Sequence, residues 1–218
     1  MPLTTEEFFA VFRAYNLAVW PAQPILLALA LTAVFLATRR PPGNGEGVYL
    51  ILAALWLWGG LVYHVGFFRE VNPAAWGFGA LFVAEGGLFA WKAFRGPGSF
   101  RARRDLRGFA GGALILYALL VYPLLGWWAG HGYPDGPSFG APCPTTIFTF
   151  GILLWSEARV PRLLLAVPVA WTVLGSWAAI AFGVPEDFGL PVAALVTLWL
   201  VSRPAGTPPR PSRTTSSS

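Results

Sequence analysis

Apolar and polar positions alternate along this chain in long blocks. A short amphipathic segment comes first, and apolar runs separated by short polar links follow. Residues 4–16 (TTEEFFAVFRAYN) carry a helix signal, because Thr4 with Glu7 makes a capping box and Phe8, Phe12 and Tyr15 share one face. Such a face suits a lid lying on a membrane surface or, the simpler reading adopted here, an interfacial anchor. Seven apolar runs lie near 18–38, 47–67, 73–94, 109–130, 145–158, 162–183 and 188–202. A membrane-crossing helix needs about 20 residues, and the fifth and seventh runs offer only about 14–15. Those two read as half-helices, as core helices enclosed by the others, or as spans completed by adjoining loop. The pattern predicts an all-α fold, a polytopic membrane bundle of about seven transmembrane helices. Its divisions are an interfacial helix at 1–17, a transmembrane domain at 18–202 and a disordered, cytoplasmic, Pro/Ser/Thr-rich tail at 203–218.

The most irregular stretch is His131–Gly151, HGYPDGPSFGAPCPTTIFTFG, set between two apolar runs. Bare backbone polar groups cannot face lipid, so it sits in water or lines a protected cavity. Pro144 suits the first helical position, which puts Cys143 where an N-cap would stand. Thr145, Thr149 and Ser156 then fall along one helix face. The expectation is a half-helix whose positive N-terminal end points into a polar pocket.

Composition strengthens the membrane reading: 56% of the 218 residues are hydrophobic, 11% charged and 16% aromatic. A soluble domain carries about a quarter charged residues. The net charge of +5 does not mark a nucleic-acid binder, because 13 of the 15 lysines and arginines lie in the links at 39–46, 92–107 and 159–162 or in the tail. The other links and the N-terminal segment hold Arg13 and Arg69 against Glu6, Glu7, Glu70, Asp135, Glu186 and Asp187. The positive-inside rule then places the N-terminus outside and the C-terminus in the cytoplasm of the inner membrane. The basic link RGPGSFRARRDLRG reads as a topology determinant rather than a headgroup site. No signal peptide and no internal repeat are apparent.

On that topology His64, Asn72, His131, Asp135 and Cys143 gather at the outer side. Glu85 lies about 18 Å along the third run at 1.5 Å per residue, near mid-membrane. Such an acid suggests a functional site facing the bundle interior, set against a protonated Glu bonded to a neighbouring helix. The pocket candidates are His64, Asn72, Glu85, His131, Tyr133, Asp135, Cys143, Thr145, Thr146 and Thr149. Cys143, His131 and His64 are the candidate metal ligands, but one Cys and two His do not specify a site. Cys143 at a helix start reads as a reactive thiolate or soft-metal ligand, or as a small buried apolar group. A single cysteine excludes an intramolecular disulfide. CxxC, HExxH, P-loop and dinucleotide motifs are absent. The only lysine, Lys92, is in the third run, so a retinal Schiff base on the seventh is excluded.

Three strings, EEFFAVFRAYNLAVWPAQ, VYHVGFFREVNPAAWGFGALF and GHGYPDGPSFGAPCPTTIFTFGILL, resemble an uncharacterised bacterial multi-pass membrane family, domain of unknown function 6064, over about residues 5–200. The resemblance implies an integral membrane protein, of a kind loosely labelled permease, and brings no substrate or catalytic residue with it. The leading expectation is a small permease or channel-like protein with an outward pocket around residues 131–149. The alternatives are a membrane-embedded redox, metal- or haem-handling protein using Cys143 with His64 and His131, and an accessory subunit of a membrane complex. No cofactor is required by the sequence, and no motif commits the chain to catalysis. The expected partners are the lipid bilayer and a second copy or partner subunit, with no nucleic acid.

Overall fold

A computed structural model describes residues 3–203. It is all-helical, and among the described residues only two isolated bridges, Phe100–Ser156 and Phe139–Ala141, have strand-like pairing. Helix α1 is Thr5–Ala18, and its capping box is present: Glu7 N–H donates to Thr4 Oγ1 at 3.2 Å, and Thr4 N–H donates to Glu7 Oε2 at 2.9 Å. The bundle proper contains α2 (Ala22–Arg39), α3 (Asn44–Trp58), α4 (Ala75–Phe94), α5 (Leu106–Leu116), α6 (Tyr122–Trp128), α7 (Pro142–Leu154), α8 (Leu163–Phe182) and α9 (Gly189–Ser202). A π-helical stretch, Gly59–Phe67, prolongs α3, and another, Tyr117–Val121, joins α5 to α6.

Four helical stretches are long and apolar enough to cross a membrane: Ala22–Arg39, Asn44–Glu70, Leu106–Trp128 and Leu163–Phe182. The expected count of seven spans is not supported. The fifth and seventh apolar runs fold as α7 and α9, with 13 and 14 residues. A helix that short reaches only about 20 Å at 1.5 Å per residue. Helix α7 is instead the enclosed centre of the bundle, packed by α3, α5, α8 and α9, and every residue in it except Cys143 is buried. It also starts earlier than expected, because Pro142 rather than Pro144 takes the first helical position. Ala141 is therefore the N-cap, and Cys143 lies inside the first turn.

Small residues bring the helices together. A Cβ on Gly111 of α5 would sit 2.7 Å from the Gly151 carbonyl of α7, and one on Gly151 would sit 2.8 Å from the Gly111 carbonyl. Glycine at both positions lets these backbones touch, as in small-residue membrane interfaces.

The links gather at two ends. At the basic end Asn44 Nδ2 donates to Leu36 O (3.1 Å) and Phe100 O (2.8 Å), Arg101 N–H donates to Trp155 O (2.8 Å), and Arg107 reaches Leu200 O (2.8 Å). At the other end Asn16 Nδ2 donates to Pro134 O (2.7 Å) and Gly136 O (2.8 Å), and Arg13 pairs with Asp135 at 2.6 Å. Helix α1 lies there with its apolar face on the bundle: Phe8 stacks on Phe182 (centroids 4.3 Å apart), Phe12 stacks on Tyr63 (5.4 Å), and Tyr15 accepts from Trp58 Nε1 at 2.7 Å. The expected tail lies outside the described residues beyond Arg203.

Candidate functional site

Beneath α1 lies a cavity of about 500 Å³, within the range of small-molecule sites. The π-helical end of α3, the first turn of α7, the C-terminal half of α8 and the turn Pro185–Phe188 contribute its walls. Most of the lining is aromatic or aliphatic, including Phe8, Phe12, Tyr63, Trp171 and Phe182. Apart from the Tyr63 hydroxyl and the indole N–H groups of Trp171 and Trp177, the lining residues with polar side chains are few: His64, Asn72, Cys143 and Asp187. No lysine or arginine borders it among the described residues.

His64 is fully buried and ringed by Phe68, Phe78, Phe82 and Trp171, with centroids 4.8–6.1 Å away. Neither of its ring nitrogens has a protein partner. A buried polar group left unmatched costs about 1–3 kcal/mol, so the position calls for something to satisfy it. It sits on a π-helical stretch, a local winding that recurs at functional sites.

Asp187 is 2% exposed and accepts a short hydrogen bond from the Tyr122 hydroxyl. The Cys143 thiol lies beside the same carboxyl. Burial pushes the Asp187 carboxyl up to about 7, opposed by those two hydrogen-bond donors, while the neighbouring Glu186 adds to the rise. Glu186 points elsewhere: His131 Nε2 lies 2.9 and 3.1 Å from its two carboxyl oxygens, under the ring of Phe9. Two consecutive buried acids therefore have different fates, one paired with histidine and one facing the cavity.

Of the ten pocket candidates, the structure brings His64, Asn72 and Cys143 to this cavity. Asn72 spends its side-chain oxygen on the backbone N–H of Ala74 (3.0 Å), in the turn that leads into α4. Tyr133 is 55% exposed, and Asp135 is held in its surface pair with Arg13. The threonine face does not border this cavity. Thr146 donates back to Pro142 O and Thr149 to Thr145 O (2.8 Å each), and Thr149 also accepts from Trp56 Nε1 (2.9 Å). Such back-bonding is the usual way for a buried threonine to satisfy itself inside a helix. Thr145 is buried beside them with its hydroxyl unpartnered. Glu85 is fully buried, both oxygens lack a partner, and it does not border the cavity. The three candidate metal ligands do not converge, because His131 is engaged by Glu186 away from Cys143 and His64. Among the described residues no group of three or more His, Cys, Asp or Glu is close enough to hold a metal ion.

Sequence reasoning missed Asp187 and Trp171. Asp187 was counted as a link charge, though GVPEDFGLP offered a signal: two acids without a local base in a connection too apolar to be a solvated loop. Trp171 gave none, since an aromatic in an apolar run is ordinary.

The family comparison agrees with the resemblance read from the sequence. The model of a family of unknown function, DUF6064, matches residues 5–207. No curated protein and no solved structure matches the chain.

Proposed function

The chain belongs to DUF6064, a family of unknown function, and from the geometry alone we propose that it is a small permease-like membrane protein that takes a ligand into the cavity beneath α1. The observation that carries this reading is His64, fully buried on the cavity wall with both ring nitrogens unmatched by protein. Four apolar helices of spanning length support the membrane placement. The basic links support a cytoplasmic position for the end held by Asn44, with the tail 203–218 on that side. The cavity end, with residues 129–141 and 183–188, then faces outward from an inner membrane. The pocket proposed here differs from the one expected around 131–149: its walls come from α3, α7 and α8, and the 131–141 link is part of its cover.

Helix α1 acts as the cover. Its rings stack on Tyr63 and Phe182, so withdrawing it would open the cavity without unfolding the bundle. The test is Ala178→Trp, which puts an indole into the space, compared with wild type in detergent for small molecules that co-purify and are identified by mass spectrometry. Wild type should carry a defined molecule that the filled variant lacks at unchanged thermal stability. Identical small-molecule content in both proteins would overturn the reading and favour an accessory-subunit role.

A further inference from the structure

We propose that the cavity takes an organic ammonium ion, a small molecule whose cationic nitrogen sits between aromatic rings and the Asp187 carboxyl. The inference rests on the cavity being a ligand site and names the class of ligand.

The first argument is charge. Asp187 is the one acid on the wall, and no lysine or arginine borders the cavity among the described residues. A buried carboxylate needs a partner charge or several donors. Glu186, one residue away, has its histidine, whereas Asp187 has only Tyr122 and the weak donor Cys143. A carboxylate has about four acceptor positions, so two donors leave room for an N⁺–H. An anionic ligand would meet the acid and no compensating cation. A wholly apolar ligand would leave both Asp187 and His64 as they are.

The second argument is the rest of the wall. Phe12, Tyr63, Trp171 and Phe182 line the same space, and aromatic faces attract a desolvated cation as well as covering apolar substituents. The third is His64, buried on the wall with neither ring nitrogen hydrogen-bonded to protein, so that an imidazole nitrogen without a proton can take an N–H from a protonated amine. Acid, aromatic box and free imidazole come from three separate elements yet face one volume.

The experiment uses the full-length protein in detergent with three probes of nearly equal shape: N,N-dimethylbenzylammonium, its uncharged isostere isobutylbenzene, and phenylacetate. Binding is followed by tryptophan fluorescence and by competition between probes. The ammonium should bind about tenfold or more tightly than isobutylbenzene, with phenylacetate weakest. Asp187→Asn should lower ammonium affinity about tenfold or more while leaving isobutylbenzene unchanged, which also reports that the variant is folded. Equal binding of ammonium and isobutylbenzene, or indifference of the ammonium to Asp187→Asn, overturns the cation assignment and leaves the cavity reading standing. Binding by none of the three, or binding that Ala178→Trp does not weaken, overturns the cavity reading itself.

Discussion

Each end of this bundle is tied by a buried asparagine, and the two ties close over different interiors. Asn44 joins the end of α2, the start of α3 and the α4–α5 link, bonding Leu36 O and Phe100 O and accepting from Phe100 N–H at 3.3 Å. Beneath it Phe100 packs edge-on against Tyr49, centroids 5.1 Å apart, and both rings are buried. Asn16 joins α1 to the 131–141 link with equal thrift, bonding Pro134 O and Gly136 O and accepting from Ser138 Oγ at 2.6 Å. Beneath that link is the cavity with His64 and Asp187. Sealing is therefore common to both ends. What separates them is what lies directly beneath each tie: packed aromatic rings under Asn44, and under the Asn16 link a mostly apolar space walled by His64 and Asp187. The cavities of about 420 and 350 Å³ at the basic end are instead bordered by arginines such as Arg107, Arg159 and Arg162. A fold gains nothing in stability from a buried, unpartnered histidine on a cavity wall, which is why the ligand reading belongs to that end.

The largest expected effect breaks the tie over the packed interior. Asn44→Ala removes three hydrogen bonds and strands the Phe100 N–H and carbonyl in a buried place, which should cost about 3 kcal/mol. Thermal unfolding in detergent should show a large drop in midpoint with no change in ligand binding. Asn16→Ala should cost less, about 2 kcal/mol, because the stacking of Phe8 and Phe12 still holds α1 in place. Its signature is access. Alkylation of Cys143 by a membrane-impermeant maleimide should speed up in Asn16→Ala and stay at wild-type rate in Asn44→Ala. Equal acceleration in both would erase the distinction between the ends.

A smaller effect concerns pH. The Asp187 carboxyl, raised to about 7 by burial, binds a proton in the folded chain over a range where the unfolded carboxyl, near 3.8, has lost it. Its contribution to stability is thus fully present below about pH 4 and is lost as pH rises toward 7, with no further change above. The groups around it are Tyr122, Cys143 and Glu186, the last paired with His131. Melting curves of ligand-free protein from pH 4.5 to 8 should fall across that window, and Asp187→Asn should flatten the fall. A wild-type curve that rises instead would show that the carboxyl is stabilised as an anion by a partner.

Much of the frame could be read in the sequence, because apolar runs and glycine or proline breaks are local signals. Helix α1, its capping box and the shortness of α7 and α9 follow from residues close together in the chain. The number of spans did not follow, since an apolar run reads alike whether lipid or protein covers it, and α7 is covered by protein. Of the cavity, His64, Asn72 and Cys143 were visible as polar residues in apolar surroundings. Asp187 and Trp171 were not, because their role depends on α8 and the following turn meeting α7 and, more than a hundred residues away, the π-helical end of α3. The threonine face misled for a physical reason: a hydroxyl on a buried helix satisfies itself on the turn before it.

The smallest effect sharpens the account of the cover. Arg13 and Asp135 join α1 to the same link as Asn16, at 2.6 Å, but their side chains are 56% and 48% exposed. Water screens such a pair, and its net worth is about 0–1 kcal/mol whatever its distance. Neither residue borders the cavity. If the cover is held by Asn16 and stacked rings, Arg13→Ala should leave thermal stability within about 0.5 kcal/mol and Cys143 alkylation at wild-type rate. The double variant Arg13→Ala/Asn16→Ala should then behave as Asn16→Ala alone. Should Arg13→Ala by itself open Cys143 to maleimide, the surface pair rather than the buried asparagine latches α1, and added salt should open the wild-type protein in the same way.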